Sequence, residues 1–194
     1  VTNSGDSLGF ENLSSVSTDD SEAAYAAICY LLKLGHNNIG ILGGQLEKSR
    51  AAITRYIGCR KAFDEFGISF EVERQYVPAL FSISQGYEAM GILMEQMPEL
   101  TAVFAMSDTM ALGAIRAIRD RGLRVPEDIS VLGFDGIELG NYVSPKLTTI
   151  RQDREVIAKR SVEILLENIV GLNNAVHETV PFQVIVGESA QRCR

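Results

Sequence analysis

The sequence predicts a doubly wound α/β fold on a mainly parallel sheet, and two observations carry that reading. The strand-like runs NIGILGG (38–44), TAVFAM (101–106) and ISVLGF (129–134) are apolar throughout rather than alternating, as strands covered on both faces are. Between them lie segments with apolar residues at helical spacing and short connections, the pattern of parallel strands joined by helical crossovers.

Taken in order, Thr18, Asp19 and Glu22 form a capping start for a helix through AAYAAICYLLKL, which Gly35 stops. NIGILGG is a buried strand. A helix across about 50–66 offers Ile53, Ile57, Ala62, Phe63 and Phe66 for an inner face, with Gly67 as its stop. VERQYV (72–77) reads as a strand, and 84–96 as a helix ending before Pro98. TAVFAM is a strand and 108–122 a helix with Met110, Ala111, Ala114, Ile115 and Ile118 inward. Asp108 reads as the carboxylate capping that helix. ISVLGF is a strand, 153–171 a long helix, and FQVIVG (182–187) the last strand.

The 25 acidic residues against 18 basic ones give a formal charge of -7, which makes this chain a poor partner for nucleic acid or an anionic membrane. No apolar run approaches the roughly 20 residues a membrane span needs. Cys29, Cys59 and Cys193 are odd in number and fit no metal spacing, so they read as reduced thiols of a cytoplasmic protein. The chain starts at Val1 within a polar, Gly- and Ser-rich stretch, and is expected to be a fragment lacking its N-terminal portion.

Ligands of such sheets bind outside the carboxyl ends of the strands. There the sequence places Arg55, Phe81, Ser107 and Asp135: an arginine, an aromatic, a hydroxyl and a carboxylate, a set suited to a polar small molecule. Each residue alone is more simply structural. Pattern leaves Asp135 as a turn residue, a helix cap, a catalytic acid, a metal ligand or a hydrogen-bonding hook. No catalytic chemistry is legible. His36 follows a helix-stop glycine, where it would meet the carbonyls of the helix end, and His177 falls in a loop. Neither has a visible nucleophile partner. The HExxH spacing, the GxSxG nucleophile context and the phosphate-loop glycine patterns are absent, so neither an enzyme nor a cofactor is expected.

The segments GHNNIGILGG, RYIGCRKAFDEFGI, MSDTMALGAIRAIRDRGLRVPEDISVLGFDG and SPKLTTIRQD resemble the effector-binding domain of the lactose/galactose-repressor (LacI/GalR) family, from about Val16 to the end. The resemblance implies a periplasmic-binding-protein-like type I fold, two α/β subdomains flanking a ligand cleft. Residues 1–15 would end the N-terminal subdomain, 16–149 form the C-terminal effector-binding subdomain, 150–171 cross back as a helix of the N-terminal subdomain, and 172–194 return as a strand and tail. The C-terminal subdomain would be largely complete and the N-terminal one largely missing. The resemblance makes Arg55, Phe81 and Asp135 ligand contacts, with Gln152 a weaker candidate at the cleft or hinge. Ser107 stands where many members have asparagine, and Gly136 where many have a second aspartate. The implied function is a transcriptional regulator's sensor for a sugar or related metabolite, homodimeric, reaching operator DNA through a helix-turn-helix headpiece outside this chain. The alternative is a periplasmic solute-binding protein. With its subdomain incomplete, the helix at 153–169 would be left with Val156, Ile157, Ile164, Leu165 and Ile169 seeking a partner.

Overall fold

The protein is described by a computed structural model over residues 13–169 and 175–193. The parts of the expected subdomain boundaries that fall on 1–12 and 170–174 lie outside the described residues. Six strands form the main sheet: β2 (Ile39–Gly43), β3 (Tyr76–Pro78), β4 (Ala102–Ala105), β5 (Ser130–Asp135), β6 (Thr148–Gln152) and β8 (Phe182–Ile185). Their order is β3-β2-β4-β5-β6-β8, parallel except for β8, which runs antiparallel to β6. The helices are α1 (Asp20–Lys33), α2 (Arg50–Glu65), the single turn α3 (Val72–Gln75), α4 (Ile83–Gln96), α5 (Asp108–Asp120) and α6 (Arg154–Ile169). α1 packs on α2 and α4 on α5, and the two pairs cover the sheet. Its inward side chains, Phe104, Phe134, Ile39, Ile41 and Leu42 among them, are fully buried. The doubly wound prediction holds.

Local chemistry sets the helix starts. The Asp19 carboxylate accepts from the Glu22 amide at 2.9 Å, as the capping pattern predicts. Ser49 and Ser82 cap α2 and α4 in the same way.

Three expectations are corrected. VERQYV is not one strand. The Gln75 side chain accepts from the Glu71 amide at 2.7 Å and donates to the Ile39 carbonyl at 3.0 Å, which winds 72–75 into a turn and leaves only Tyr76–Pro78 for pairing. The inner face of α2 is also different: Ile53, Ile57 and Phe66 are exposed, while Ala52, Arg55, Gly58, Cys59, Ala62 and Phe63 are buried. Gly58 explains the rotation. A Cβ there would stand 1.9 Å from the Ser21 carbonyl oxygen of α1, so the helices meet backbone to backbone along that side. Finally, β6 is a full strand of the sheet rather than only the start of a crossover.

A second, two-stranded parallel sheet pairs β1 (Ser15–Ser17) with β7 (His177–Thr179). Val16 and Val180 bury Ile164 of α6 between them, with Ile157 and Val176 at the margin. The other side of α6 keeps Val162, Leu165, Leu166 and Ile169 exposed. α4 and α5 are in unusually close contact. A Cβ on Gly86 would fall 2.4 Å from the Met110 carbonyl oxygen, and one on Gly113 would fall 2.1 Å from that of Ile83.

Candidate functional site

The carboxyl ends of β5 and β6, the first turns of α1 and α2 and the β1–β7 ribbon line a cavity of ≈ 500 Å³. Arg55, Asp135 and Gln152 line it, together with Asp20 and Thr18 at the start of α1 and with Ser15, Ser17, His177 and Thr179 of the ribbon.

Arg55 is 7% exposed and held by neighbours that use three of its five N–H groups. Its Nε and Nη2 donate to Asp20 Oδ1 at 3.1 and 3.0 Å, and Nη1 donates to the Met106 carbonyl at 2.5 Å. The guanidinium plane lies 3.7 Å from the centre of the Phe134 ring, close enough for a cation–π contact. Burial pushes the Asp20 carboxyl above the usual aspartate range, and Arg55 opposes that shift. The planar fork of arginine is therefore fixed before any ligand arrives.

Asp135 ends β5 with φ 122°, in the left-handed region that costs a non-glycine residue about 1–3 kcal/mol. Gly136 follows at φ 70°. The Gln152 side-chain amide donates to the Asp135 carboxylate at 2.9 Å, and Arg154 of α6 reaches the Asp135 carbonyl at 3.4 Å. Burial is the largest influence on the acid and lifts it to about 6; Asp108 adds repulsion, while Arg55, Gln152 and Arg154 oppose. Asp135 caps no helix: the short 3-10 turn at Glu138–Asn141 begins beyond it without a side-chain cap.

Phe81 and Ser107 lie outside the cavity lining. Phe81 is 42% exposed, with its ring over Gly44. Ser107 is buried as the N-cap of α5, its hydroxyl accepting from the Met110 amide at 3.2 Å. Thr109 connects the two, bonding Ser107 Oγ at 2.9 Å and donating to the Phe81 carbonyl at 3.3 Å.

That cap corrects the reading of Asp108. Its carboxylate turns away from the helix amides because Ser107 already serves them, and it accepts from Thr149 Oγ1 at 2.5 Å and the Ile137 amide at 2.7 Å. His36 meets the helix end through its backbone amide, which donates to the Leu31 carbonyl of α1 at 3.2 Å, while its ring bonds the Gln191 carbonyl at 2.9 Å and Thr101 Oγ1 at 3.1 Å and burial lowers its pKa. His177 sits in a strand, not a loop, with Nδ1 2.8 Å from Ser15 Oγ.

Sequence reasoning missed Asp20 and the ribbon. Asp20 was hidden among the acidic residues of a helix start. The polar–apolar–polar alternation of Ser15, Val16 and Ser17 is a strand signal, but three residues are too few to stand out.

Residues 28–190 match the model of the periplasmic binding protein-like domain family. The chain is 44% identical over 148 residues to the HTH-type transcriptional repressor PurR of Pasteurella multocida, an alignment covering 76% of this chain and 44% of that protein. It thus spans about half the length, or less, of the curated relatives it matches. Among solved structures, a LacI family transcriptional regulator of Enterococcus faecium with bound ribose superposes with a TM-score of 0.88 at 29% identity, covering 97% of this chain and 69% of that one. The transcriptional regulator CelR–cellobiose complex gives 0.88 at 30% identity, covering 94% and 56%. The strand order, the ligand-sized cavity at the carboxyl edge of the sheet and these likenesses agree: the chain belongs to the periplasmic binding protein-like domain family, among the effector-binding domains of LacI/GalR-type regulators.

Proposed function

We propose that this chain is the effector-sensing part of a cytoplasmic transcriptional regulator and that its cavity takes a small hydroxyl-rich metabolite, a sugar or a compound of similar polarity. The carrying observation is that Arg55 and Asp135 line the same cavity, each held by other groups before ligand binds. Arg55 offers donors, Asp135 accepts from neighbouring hydroxyls, and Gln152 can do either. Phe81 and Ser107, one hydroxyl link from each other through Thr109, stand outside the cavity lining and play no part in this reading.

In this reading β1, α6 and β7 belong to the second subdomain, and the ligand bridges it to the six-stranded sheet. Closure alters the geometry of a homodimer and hence the DNA affinity of a helix-turn-helix element outside this chain. The ligand can shift DNA binding only by its differential affinity for the two arrangements, about 1–3 kcal/mol in typical regulators. The named relatives are regulators rather than uptake proteins, which supports this over solute transport. None is an enzyme by name.

A thermal-shift screen of sugars and nucleobases on the intact protein tests the proposal. A compound that raises the melting temperature of the wild type should lose its effect in Asp135→Ala. Retained stabilisation in that variant would remove Asp135 from the site, and a screen with no stabilising compound would count against the sensor reading itself.

A further inference from the structure

We infer that Asp108, which lies outside the cavity, is a positioning residue for it: its carboxylate clamps the Asp135–Ile137 turn to β6 and so holds Asp135 in its left-handed backbone conformation. This rests on Asp135 being an effector contact. The geometry is specific. Asp108 is 0% exposed, at the start of α5, and it does none of the capping its position suggests. One carboxylate oxygen receives the Thr149 hydroxyl of β6, and the other receives the Ile137 amide two residues past Asp135. The chain makes room for it. Gly133, inside β5, has no side chain where a Cβ would stand 2.3 Å from Asp108 Oδ1. A glycine within a strand weakens that strand, and here it gives the carboxylate a seat against β5. Every contact is of the kind an ionised carboxylate accepts, and burial raises the Asp108 pKa against these donors.

The positioning works through Asp135. Without the clamp, the Ile137 amide loses its acceptor, and the turn keeps only the Gln152 bond to Asp135 and the end of the β5–β6 ladder as ties to β6. Only the Gln152 and Arg154 bonds then oppose the unfavourable φ at Asp135, which is freer to relax to an ordinary extended conformation and move its carboxylate within the cavity. Asp108 also acts at a distance by repelling the charge on Asp135. The other groups around Asp135 are Arg55 of α2, Gln152 of β6 and Arg154 of α6, with Asp19, Asp20, Arg50, His177 and Glu178 on the shared cavity lining.

The test compares the wild type with Asp108→Asn and Asp108→Ala in the intact protein. The readouts are carboxyl NMR of Asp135 and hydrogen exchange of the Ile137 amide. Asparagine keeps an acceptor for Ile137 but not the charge. It should leave Ile137 protected and lower the Asp135 midpoint from about 6. Alanine removes both, and should cut Ile137 protection at least about tenfold more than that of the β5 amides. The clamp is overturned if alanine leaves Ile137 protected or if protection falls equally along β5, and an Asp135 midpoint unmoved by asparagine overturns the repulsion. Should the alanine variant fail to fold, Thr149→Val, which removes the β6 side of the clamp, decides by the same exchange comparison of Ile137 with the β5 amides. Calorimetry with ribose and cellobiose separates the two proposals. A sugar that binds the wild type should bind Asp108→Ala at least about tenfold more weakly, and equal affinity would overturn the role. If neither sugar binds the wild type, the sugar reading suffers while the NMR comparison still judges the clamp.

Discussion

Arg55 meets a carboxylate, a main-chain carbonyl and an aromatic face at once, so no other residue type can replace it without leaving something unpaired. Arg55→Ala strands Asp20, already held above its normal pKa by burial, and should cost about 3 kcal/mol in urea denaturation. Arg55→Lys should cost less, about 1–2 kcal/mol, because one ammonium can keep Asp20 or the Met106 carbonyl but not both along with the ring contact. A lysine variant as stable as the wild type would show that the fork geometry contributes nothing. The sequence made Arg55 visible as a polar residue near a strand end, but it gave no sign of its burial. Hydrophobicity favoured Ile53 and Ile57 for the inner face, whereas the backbone approach at Gly58 decided the rotation of the helix.

The elements fall into those whose periodicity is long enough to read and those that depend on a neighbour. α1, α4, α5 and α6, and strands β2, β4 and β5, were legible within a few residues because each carries its own caps or a continuous apolar run. β1 and β7 were not. Each is three residues long and exists only because the other pairs with it. α6 illustrates the same dependence energetically. It is anchored through Ile164 and Ile157, but Val162, Leu165, Leu166 and Ile169 form an apolar stripe on its far side. In this chain on its own, that stripe should drive self-association, and sedimentation should show a concentration-dependent mass that Leu166→Lys with Ile169→Lys reduces. A monomer unaffected by the double substitution would mean that the stripe is harmless in water.

For the whole molecule, the buried carboxylates set an unusual pH response. Asp135 titrates near 6 when folded against an ordinary 3.8, and Asp20 and Asp108 are raised as well. A carboxyl raised on folding favours the protonated native state. Its contribution is fully present below about 3.8 and lost as pH rises through about 6. These three groups should therefore make the protein more stable at pH 5 than at pH 7. Effector binding should follow the opposite sign, weakening below about pH 6 as Asp135 protonates and loses acceptor capacity. Melting curves and calorimetry across pH 5–7.5 would check both. Parallel trends would mean that Asp135 does not carry the binding.

The glycines between α4 and α5 bear on how such a molecule could move. With backbones in direct contact at Gly86 and Gly113, the two helices cannot slide or roll against each other without a main-chain collision. Phe81 stands just before one helix and Ser107 and Asp108 at the head of the other, so all three ride on a single stiff lever. That lever lies behind the cavity, touching it through the Asp108 bonds to Thr149 and Ile137, and gives it an unyielding backing. On the proposed function, the compliance that closure requires lies across from it, where β6 hands the chain to α6 and the ribbon is held by only three residue pairs.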